Sequence, residues 1–314
     1  MNMKVKRVFW ILFAAALATA AIAGCKKDDE TETIPYLHGS VRFNCPTHVR
    51  PGYTGSATAS GATAPDGSKV SYYWTSTWNK YVYDTTTVYD IKMPTDTIGT
   101  FSLTCYAYAK GFNNISSTQY IVVVDDNLGK TITKSGISET DEHFTDPRDG
   151  TDYYTTTANG LTWMRNNLAY EGAGIPFKEA KAMRKIYGHY YNWDEAQTAC
   201  PEGWRLPTAA EWEGLSKDSG ALMVDAYFNG ERMWEFWPSV KITNSTKMSV
   251  LPCGFAIAAS YNSFKGEFDY ATFWTADSVD GDSATYKYIH VKQPGIYSGT
   301  GDKKSFLASV RCVK

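Results

Sequence analysis

The sequence predicts two sheet-rich domains in tandem, a β-sandwich followed by an α+β domain. The length of 314 residues is enough for about two domains, at roughly 150 residues each. The composition is rich in aromatic residues, with 22 Tyr, 14 Phe and 10 Trp, which favour strands. In the first third of the chain, turn sequences recur about every ten residues, as in sandwiches. Two short helical patterns follow between residues 192 and 215, which makes the second domain α+β.

The N-terminal residues predict export and attachment to a lipid. Basic residues precede an apolar run from Val8 to Ala23, and "IAGC" occupies residues 22–25. The run is short for a membrane-spanning helix and has the composition of a cleaved signal peptide. The motif resembles the lipobox of bacterial lipoproteins, which implies a signal peptide over residues 1–24 and a lipidated Cys25. An uncleaved membrane anchor is the alternative.

Residues 25–36 predict a flexible tether. The segment "KKDDETETIP" is charged and polar, so it has little apolar surface to bury. The Lys and acidic residues that follow Cys25 resemble the surface-export signal of Bacteroidetes lipoproteins. That resemblance implies a lipid-anchored protein of the outer membrane that faces outside, whereas an ordinary solvated tether is the alternative.

Residues 37–125 predict the β-sandwich. Alternating segments such as "VSYYWTS", "TVYDIKM" and "GTFSLTCYAYA" lie between turn strings such as "APDG" and "PTDT". The pattern resembles an immunoglobulin-like domain of the polycystic-kidney-disease (PKD) type. That resemblance implies a core position for Trp74 and a role as spacer or stalk. Residues 126–143 are polar and predict an interdomain connection, with one candidate strand at "KTITK".

Two capping boxes predict a pair of short helices in the second domain. Asn192 is a good N-cap with Glu195 three residues later, and Thr208 has the same relation to Glu211. Pro201 ends the first helix, and "EGW" turns the chain toward the second. The string "CPEGWRLPTAAEWEGL" is therefore explained as a structural corner, with no residue left over for chemistry.

Long motifs in the last part of the chain follow one another in a characteristic order. They are "FTDPRDGTDYY" at 144–154, "GLTWMRNNLAY" at 160–170, "GHYYNWDEAQTACPEGWRLPTAAEW" at 188–212 and "ASVRCVK" at 308–314. Together they resemble the Fibrobacter succinogenes major paralogous domain over residues 144–314. The resemblance implies a C-type-lectin-like fold, with two helices, a long irregular loop region and a small antiparallel sheet. It also implies a disulfide from the first helix to the last strand, here between Cys200 and Cys312.

The remaining cysteines predict a second disulfide and one free thiol. An exported chain meets an oxidising compartment, where cysteines pair. The position of the cysteines in the two domains suggests Cys45–Cys105 beside Cys200–Cys312, and places Cys45 on the first strand. Cys253 lies in the apolar stretch "SVLPCGFAIAAS" and is expected as a buried free thiol. No C-x-x-C occurs and the five His are scattered, so no zinc site is expected.

An oxidase is the enzymatic alternative. "RLPTAAEWE" at 205–213 is similar to a string of the formylglycine-generating oxidase family, which binds copper through a pair of late cysteines. Here the late cysteines are Cys253 and Cys312, and the second is expected in a disulfide. The Gly-Gly-Ser-Trp segment of that family is absent from the sequence. We expect no catalytic residue, no metal and no cofactor, and "SGTGDKK" at 298–304 is expected as a turn and not as a phosphate loop.

The sequence favours a non-enzymatic surface protein that binds or adheres to an external glycan or protein. An aromatic cluster around "MWEFWPS" could form the contact platform, and core packing is the alternative. The candidate ligand-binding residues are Trp234, Trp237, Tyr261 and Trp274. The net charge of −2, from 31 basic and 33 acidic residues, gives no basic face for nucleic acid. A structural subunit of a surface or fimbrial assembly is the second hypothesis.

Overall fold

The structure, a computed structural model, covers most of the chain after the predicted tether. It describes residues 33–79, 86–125, 132–134, 142–259 and 261–314, with the backbone alone for 132–134. The predicted signal peptide, Cys25 and most of the tether lie outside the described residues. So does most of the connection predicted over 126–143. Within the described part, no helix is long and apolar enough to cross a bilayer.

The first eight strands form two facing layers. In chain order they are β1 (His38–Arg42), β2 (His48–Val49), β3 (Thr54–Thr58), β4 (Ser60–Thr63), β5 (Ser71–Ser76), β6 (Val88–Lys92), β7 (Gly99–Tyr108) and β8 (Ile115–Val123). One layer has the order β2-β8-β7-β5, and the other consists of the antiparallel pairs β1-β4 and β3-β6. β2 runs parallel to β8. The β-rich character predicted for this part is confirmed.

A shared core lies between the two layers. Trp74 is fully buried, and its ring centroid is 5.0 Å from that of Phe43. The indole Nε1 of Trp74 donates a hydrogen bond to the carbonyl oxygen of Thr86 at 2.8 Å. Leu103 and Cys105 of β7 also face inward, because side chains alternate along a strand. The core position expected for Trp74 is confirmed.

The predicted disulfide Cys45–Cys105 is wrong, because both thiols are free. Cys45 lies in the loop between β1 and β2, and not on the first strand. Its Sγ donates to Oε1 of Gln119 at 3.1 Å, and Gln119 lies opposite Leu103, two residues before Cys105. The residue directly opposite Cys105 is Ser117, and not Gln119. Burial raises the pKa of Cys45 to about 11 and that of Cys105 to about 12.

The C-terminal part combines short strands and short helices. Its elements are β9 (Ile132–Lys134), β10 (His143–Thr145), β11 (Asp152–Ala158), β12 (Leu161–Met164), β13 (Ile175–Pro176), α1 (Arg184–Tyr187), β14 (His189–Tyr191), α2 (Trp193–Ala199), α3 (Ala209–Glu213), β15 (Ala226–Phe228), β16 (Glu231–Arg232), β17 (Phe255–Ile257), β18 (Ser263–Lys265), β19 (Tyr270–Ser278), β20 (Ser283–His290), β21 (Tyr297–Asp302) and β22 (Phe306–Ser309). The main sheet has the order β13-β14-β22-β19-β20-β21, and β17 pairs with both β22 and β18. Smaller sheets have the orders β10-β11-β12 and β16-β15-β9.

The turn predicted for "SGTGDKK" is wrong over most of its length. Residues 298–302 belong to β21, which pairs along its length with β20, and the turn begins only at Lys303. Gly299 and Gly301 are part of this strand, and aromatic rings lie where a Cβ atom would be at each of them.

The two helices of the corner begin at the predicted caps. α2 follows Asn192, whose side chain accepts from the backbone N–H of Glu195, and α3 follows Thr208, whose side chain accepts from that of Glu211. Each glutamate accepts in return from the backbone N–H of its N-cap. Both capping boxes are confirmed. We call residues 192–215 the helix corner.

A disulfide and a buried tryptophan hold the helix corner to the rest of the domain. Cys200, at the end of α2, is bonded to Cys312 near the end of the chain, with Cα atoms 5.8 Å apart. Trp212 of α3 is buried and stacks on Phe273 of β19, with ring centroids 4.7 Å apart. The disulfide that the family resemblance implies is therefore present.

The two parts of the chain pack against each other. Val124, just after β8, is fully buried in a core cluster of the C-terminal part. The ring of His48 in β2 lies 5.6 Å from that of Phe177, measured between centroids. Burial lowers the pKa of His48 to about 4, and the Lys178 ammonium adds to the effect. The strand predicted at "KTITK" is present as β9, which pairs with β15.

Candidate functional site

An aromatic cleft on the main sheet is the candidate functional site. Residues directly opposite one another on paired strands present their side chains to the same face. Tyr270 of β19 pairs with His290 of β20, and Tyr288 of β20 pairs with Tyr297 of β21. Tyr286 lies two residues before Tyr288, on the same face of β20. The strand register therefore gathers five ring-bearing side chains on one face.

The opposite face of these strands packs into the core. Phe273, Lys287 and Ile289 alternate with the cleft residues and are buried. Lys287 is the polar member, and its Nζ donates to Oε1 of Glu213 at 2.5 Å and to Oγ of Ser298 at 2.7 Å. This face packs against the core, whereas the tyrosines on the other face of β20 are half-buried.

The cleft has a volume of about 370 Å³ and a lining of rings and polar groups. It is lined by Phe255, Tyr270, Thr272, Tyr286, Tyr288, His290, Gln293, Ser298, Gly299 and Phe306. The ring centroids of Tyr270 and His290 are 4.5 Å apart, and Tyr286 stacks on Phe306 at 4.6 Å. Small-molecule sites have volumes of about 300–1,000 Å³ and combine apolar walls with a few polar groups. The cleft therefore has the size and composition of a site for a small ligand.

Two glycines of β21 make room for the rings. A Cβ atom on Gly299 would lie 2.3 Å from Cζ of Tyr286, and one on Gly301 would lie 2.8 Å from Cδ1 of Phe306. Any side chain at these positions would push the rings out of place. The alternation of "YSGTGD" in β21, opposite "TYKYIH" in β20, is the sequence signal that could have located the cleft.

The polar atoms of the cleft are suited to hydrogen bonds with an uncharged partner. Burial raises the pKa of Tyr286, and the phenols of Tyr288 and Tyr270 add to the effect, so this hydroxyl stays protonated at neutral pH. Nδ1 of His290 is buried and has no hydrogen-bond partner in the described part of the chain. The His290 ring and the Gln293 side chain both line the cleft, and Gln293 contributes an amide donor and acceptor.

The C-terminal part of the sequence matches a known family. The model of the Fibrobacter succinogenes major domain matches residues 156–314, slightly more than half of the chain, and this range includes the whole cleft. The chain belongs to this family. No curated protein matches the chain.

Among solved structures, the chain is similar to a quinonprotein alcohol dehydrogenase-like protein from Bacteroides thetaiotaomicron VPI-5482. The identity is 12%, and the TM-score is 0.21. The match covers 82% of this chain and 60% of the other, so the chain spans less than two thirds of the length of that protein. At this TM-score the likeness bears neither on the fold nor on the site.

Two of the four predicted ligand-binding residues lie in the core of the Fibrobacter succinogenes major domain. Trp234 and Trp274 are fully buried. Their Nε1 atoms donate to the carbonyl oxygens of Val250 at 3.1 Å and Tyr191 at 2.8 Å, respectively. Neither indole presents a face to a ligand, so their prediction as ligand-binding residues is wrong. Both rings fill the irregular interior, which is the alternative that the aromatic composition left open.

The other two predicted residues, Trp237 and Tyr261, are exposed but do not line the cleft. Trp237 is 38% exposed, and Nζ of Lys292 lies 5.4 Å from its ring centroid. Tyr261 is 90% exposed. A ligand-binding role for either residue stays a prediction. The tyrosines and the histidine of the cleft are the candidate residues that sequence reasoning missed.

Cys253 of the family domain is a free and fully buried thiol. Its Sγ lies 3.4 Å from Oγ of Ser309 and 3.4 Å from Nδ2 of Asn167. Burial raises the pKa of Cys253, which keeps the thiol neutral. Because Cys312 is bonded elsewhere, it is not available beside Cys253 as a second thiolate. Among the residues that the structure describes, no three His, Cys, Asp or Glu side chains are grouped as a metal site.

Proposed function

We propose that the chain is a lipid-anchored cell-surface protein that binds an external glycan through the aromatic cleft and catalyses no reaction. The observation that carries this proposal is the cleft, in which half-buried rings stand beside hydroxyl, imidazole and amide groups. The apolar C–H face of a sugar packs on aromatic rings, and its hydroxyls need hydrogen-bond partners at the edge. The cleft supplies both in one place.

The sequence features outside the described residues support attachment and display. A lipidated Cys25 would carry several acyl chains, and each buried methylene contributes about 0.8 kcal/mol to membrane binding. The tether over residues 25–36 would then hold the folded part away from the outer membrane, facing outside. The two facing layers of residues 37–125 support an immunoglobulin- or PKD-like spacer in between.

The C-terminal domain supports a C-type-lectin-like arrangement in outline. It has two capped helices, long irregular segments, an antiparallel-rich sheet and a disulfide from Cys200 to Cys312. Lectin-like folds bind unrelated ligands at different surfaces, so the proposed ligand follows from the cleft and not from the fold.

A glycan array probed with the full-length chain in detergent tests the proposal. The full chain is used because β9 and Val124 both contact the C-terminal domain, so a fragment that starts at residue 144 would lose these partners. We expect binding to a defined set of glycans. Tyr288→Ala should weaken the affinity at least about tenfold, since a large stacking surface is lost.

The matched control is Tyr120→Ala, which removes a 61% exposed tyrosine of β8 and should leave the affinity unchanged. Thermal unfolding of both variants verifies that they remain folded. Equal affinities of the parent chain and Tyr288→Ala for every bound glycan would rule out the cleft as the site.

Protease shaving of intact cells tests the proposed location. A chain displayed outside should be cleaved in the tether or the interdomain connection before lysis. A chain that is protected until the cells are broken is inconsistent with outward display, and a chain that is not labelled by palmitate is inconsistent with lipidation of Cys25.

A structural subunit of a surface assembly is the second candidate. The observation that favours it is that β21 and β5 each have one neighbouring strand among the described residues, which leaves a sheet edge at each. Cross-linking on intact cells distinguishes the two candidates. An assembly subunit should give stable complexes with partner chains and no signal on the glycan array.

A further inference from the structure

No Lys, Arg, Asp or Glu is among the described residues that line the cleft. None of these residues has a carboxylate, an ammonium or a guanidinium group. The polar groups are hydroxyls of Tyr and Thr, the ring of His290 and the amide of Gln293, whereas the hydroxyl of Ser298 accepts from Lys287 on the core face. A ligand inside the cleft therefore meets dipoles and ring faces.

Two lysines near the cleft strands do not line the cleft. Lys287 lies between Tyr286 and Tyr288 in the chain, but its side chain is on the core face and 2% exposed. Its ammonium is paired with Glu213 and also donates to the hydroxyl of Ser298. Lys292 lies two residues after His290, and its Nζ is 5.4 Å from the ring centroid of Trp237. Neither ammonium lines the cleft to neutralise an anionic ligand.

We propose that the cleft selects uncharged pyranose sugars and discriminates against their uronic acid, sialic acid and sulfated counterparts. This inference rests on the proposed glycan-binding function and assigns its substrate class. A carboxylate or sulfate that enters the cleft loses part of its hydration and finds no ammonium or guanidinium group among the described lining residues in return. A neutral hydroxymethyl group at the same position loses much less, because a hydroxyl or an amide can replace its water.

The donors and acceptors of the cleft match a sugar hydroxyl. The phenol of Tyr286 is kept protonated by burial, so it can both donate and accept. The Gln293 amide also has both capacities. A sugar hydroxyl has the same dual character, whereas a carboxylate only accepts and would leave the acceptor groups of the cleft facing an anion. Recognition of the neutral sugar is therefore favourable at the same positions that oppose the charged one.

Matched glycoside pairs test the inference on the full-length chain in detergent. Methyl galactoside with methyl galacturonide, and methyl glucoside with methyl glucuronide, differ only at C6. Isothermal titration at moderate salt should show the neutral member of the bound pair at least about tenfold tighter than its uronide. A second series uses Gln293→Lys, which places an ammonium at the exposed rim of the cleft. This variant should reduce the affinity ratio between the neutral glycoside and its uronide, here called the gap, at least about threefold.

The titrations distinguish a failure of the selectivity from a failure of glycan binding. A uronide that binds as tightly as its neutral partner, or a gap that Gln293→Lys leaves unchanged, would overturn the selectivity and leave glycan binding intact. If no sugar of either kind binds in titration or on the glycan array, the proposed function fails and the selectivity fails with it. Melting temperatures of the parent and of Gln293→Lys verify that both are folded during the comparison.

Discussion

The helix corner and the aromatic cleft use similar residue types for opposite purposes. In the corner, Trp212 is buried against the sheet, and the side chains of Thr208 and Glu211 are both consumed in a capping box. In the cleft, Tyr270 and Tyr288 are only half-buried, and no capping or disulfide fixes them. The distinctive residues of the corner stabilise its own structure, whereas the rings and polar atoms of the cleft remain available to a ligand.

This difference explains why the most distinctive string of the sequence is not the site. The distinctive residues of "CPEGWRLPTAAEWEGL" have structural roles, since Cys200 forms the disulfide, Thr208 and Glu211 form the capping box and Trp212 packs in the core. The cleft is assembled from separate strands and has no compact signature. A dense motif in a small irregular domain is therefore stronger evidence for architecture than for function.

Removal of the disulfide should have the largest effect on stability. Cys200→Ala/Cys312→Ala removes a cross-link between residues 112 positions apart in the chain. Because the unfolded chain gains conformational entropy, the free energy of unfolding should fall by about 4–5 kcal/mol. Urea denaturation measures the loss. Cys45→Ser is the control, because Cys45 is already a free thiol, and it should change stability by less than about 1 kcal/mol. A loss below about 1 kcal/mol for the double variant would contradict the structural role of the corner.

Acid should weaken the corner through Glu211. Hydrogen bonds from the Arg205 side chain, at 2.5 and 2.8 Å, and from the Thr208 backbone, hold the pKa of Glu211 at about 2. Because the folded pKa is lower than the ordinary value of 4.5, the stabilisation is present above pH 4.5 and is lost between pH 4.5 and 2. Because Arg205 is half-exposed and solvent screens the ion pair, we expect the pair to contribute about 1–2 kcal/mol to the free energy of unfolding.

Urea denaturation between pH 6 and pH 2 measures this contribution in the parent and in Glu211→Gln. The difference between the two should shrink as the pH falls below 4.5. Glu202→Gln, in the turn between the two helices, is the control and should follow the parent throughout. A constant difference between parent and Glu211→Gln would show that the ion pair does not set the stability of the corner.

Gly299→Ala should affect binding more than stability. The added Cβ would contact the far end of the Tyr286 side chain, which can rotate away. The free energy of unfolding should therefore change by less than about 1 kcal/mol. The displaced ring should weaken glycan binding about threefold to tenfold. Gly281→Ala is the control, since nothing lies within 4 Å of its Cβ position. An affinity equal to that of the parent would separate Tyr286 from the site.

Sequence reasoning succeeded where the determining contacts are local. Asn192 and Glu195 lie in one turn of helix, so their capping box could be predicted without knowledge of the fold. The strands of the first part were predicted because side chains alternate and turn residues separate them. The pairing of Cys200 with Cys312 needed the family resemblance, because 112 residues separate them.

Sequence reasoning failed where burial and register decide. Trp234 and Trp237 lie in one short string, yet the first is fully buried and the second is 38% exposed. The pair Cys45–Cys105 was expected from domain position alone. In the structure Cys45 bonds to Gln119, whereas Cys105 lies opposite Ser117, two residues earlier on β8. The cleft was missed because its rings meet only through the pairing of β19, β20 and β21.

A crystal structure of the full-length chain with its best neutral glycan would show whether the aromatic cleft is the binding site. We expect sugar density over the rings of Tyr270, Tyr286 and Tyr288, with a hydroxyl within hydrogen-bond distance of His290 or Gln293. The helix corner should be unchanged. Density against Trp237 or Tyr261, with the cleft occupied only by solvent, would show that the cleft is not the binding site.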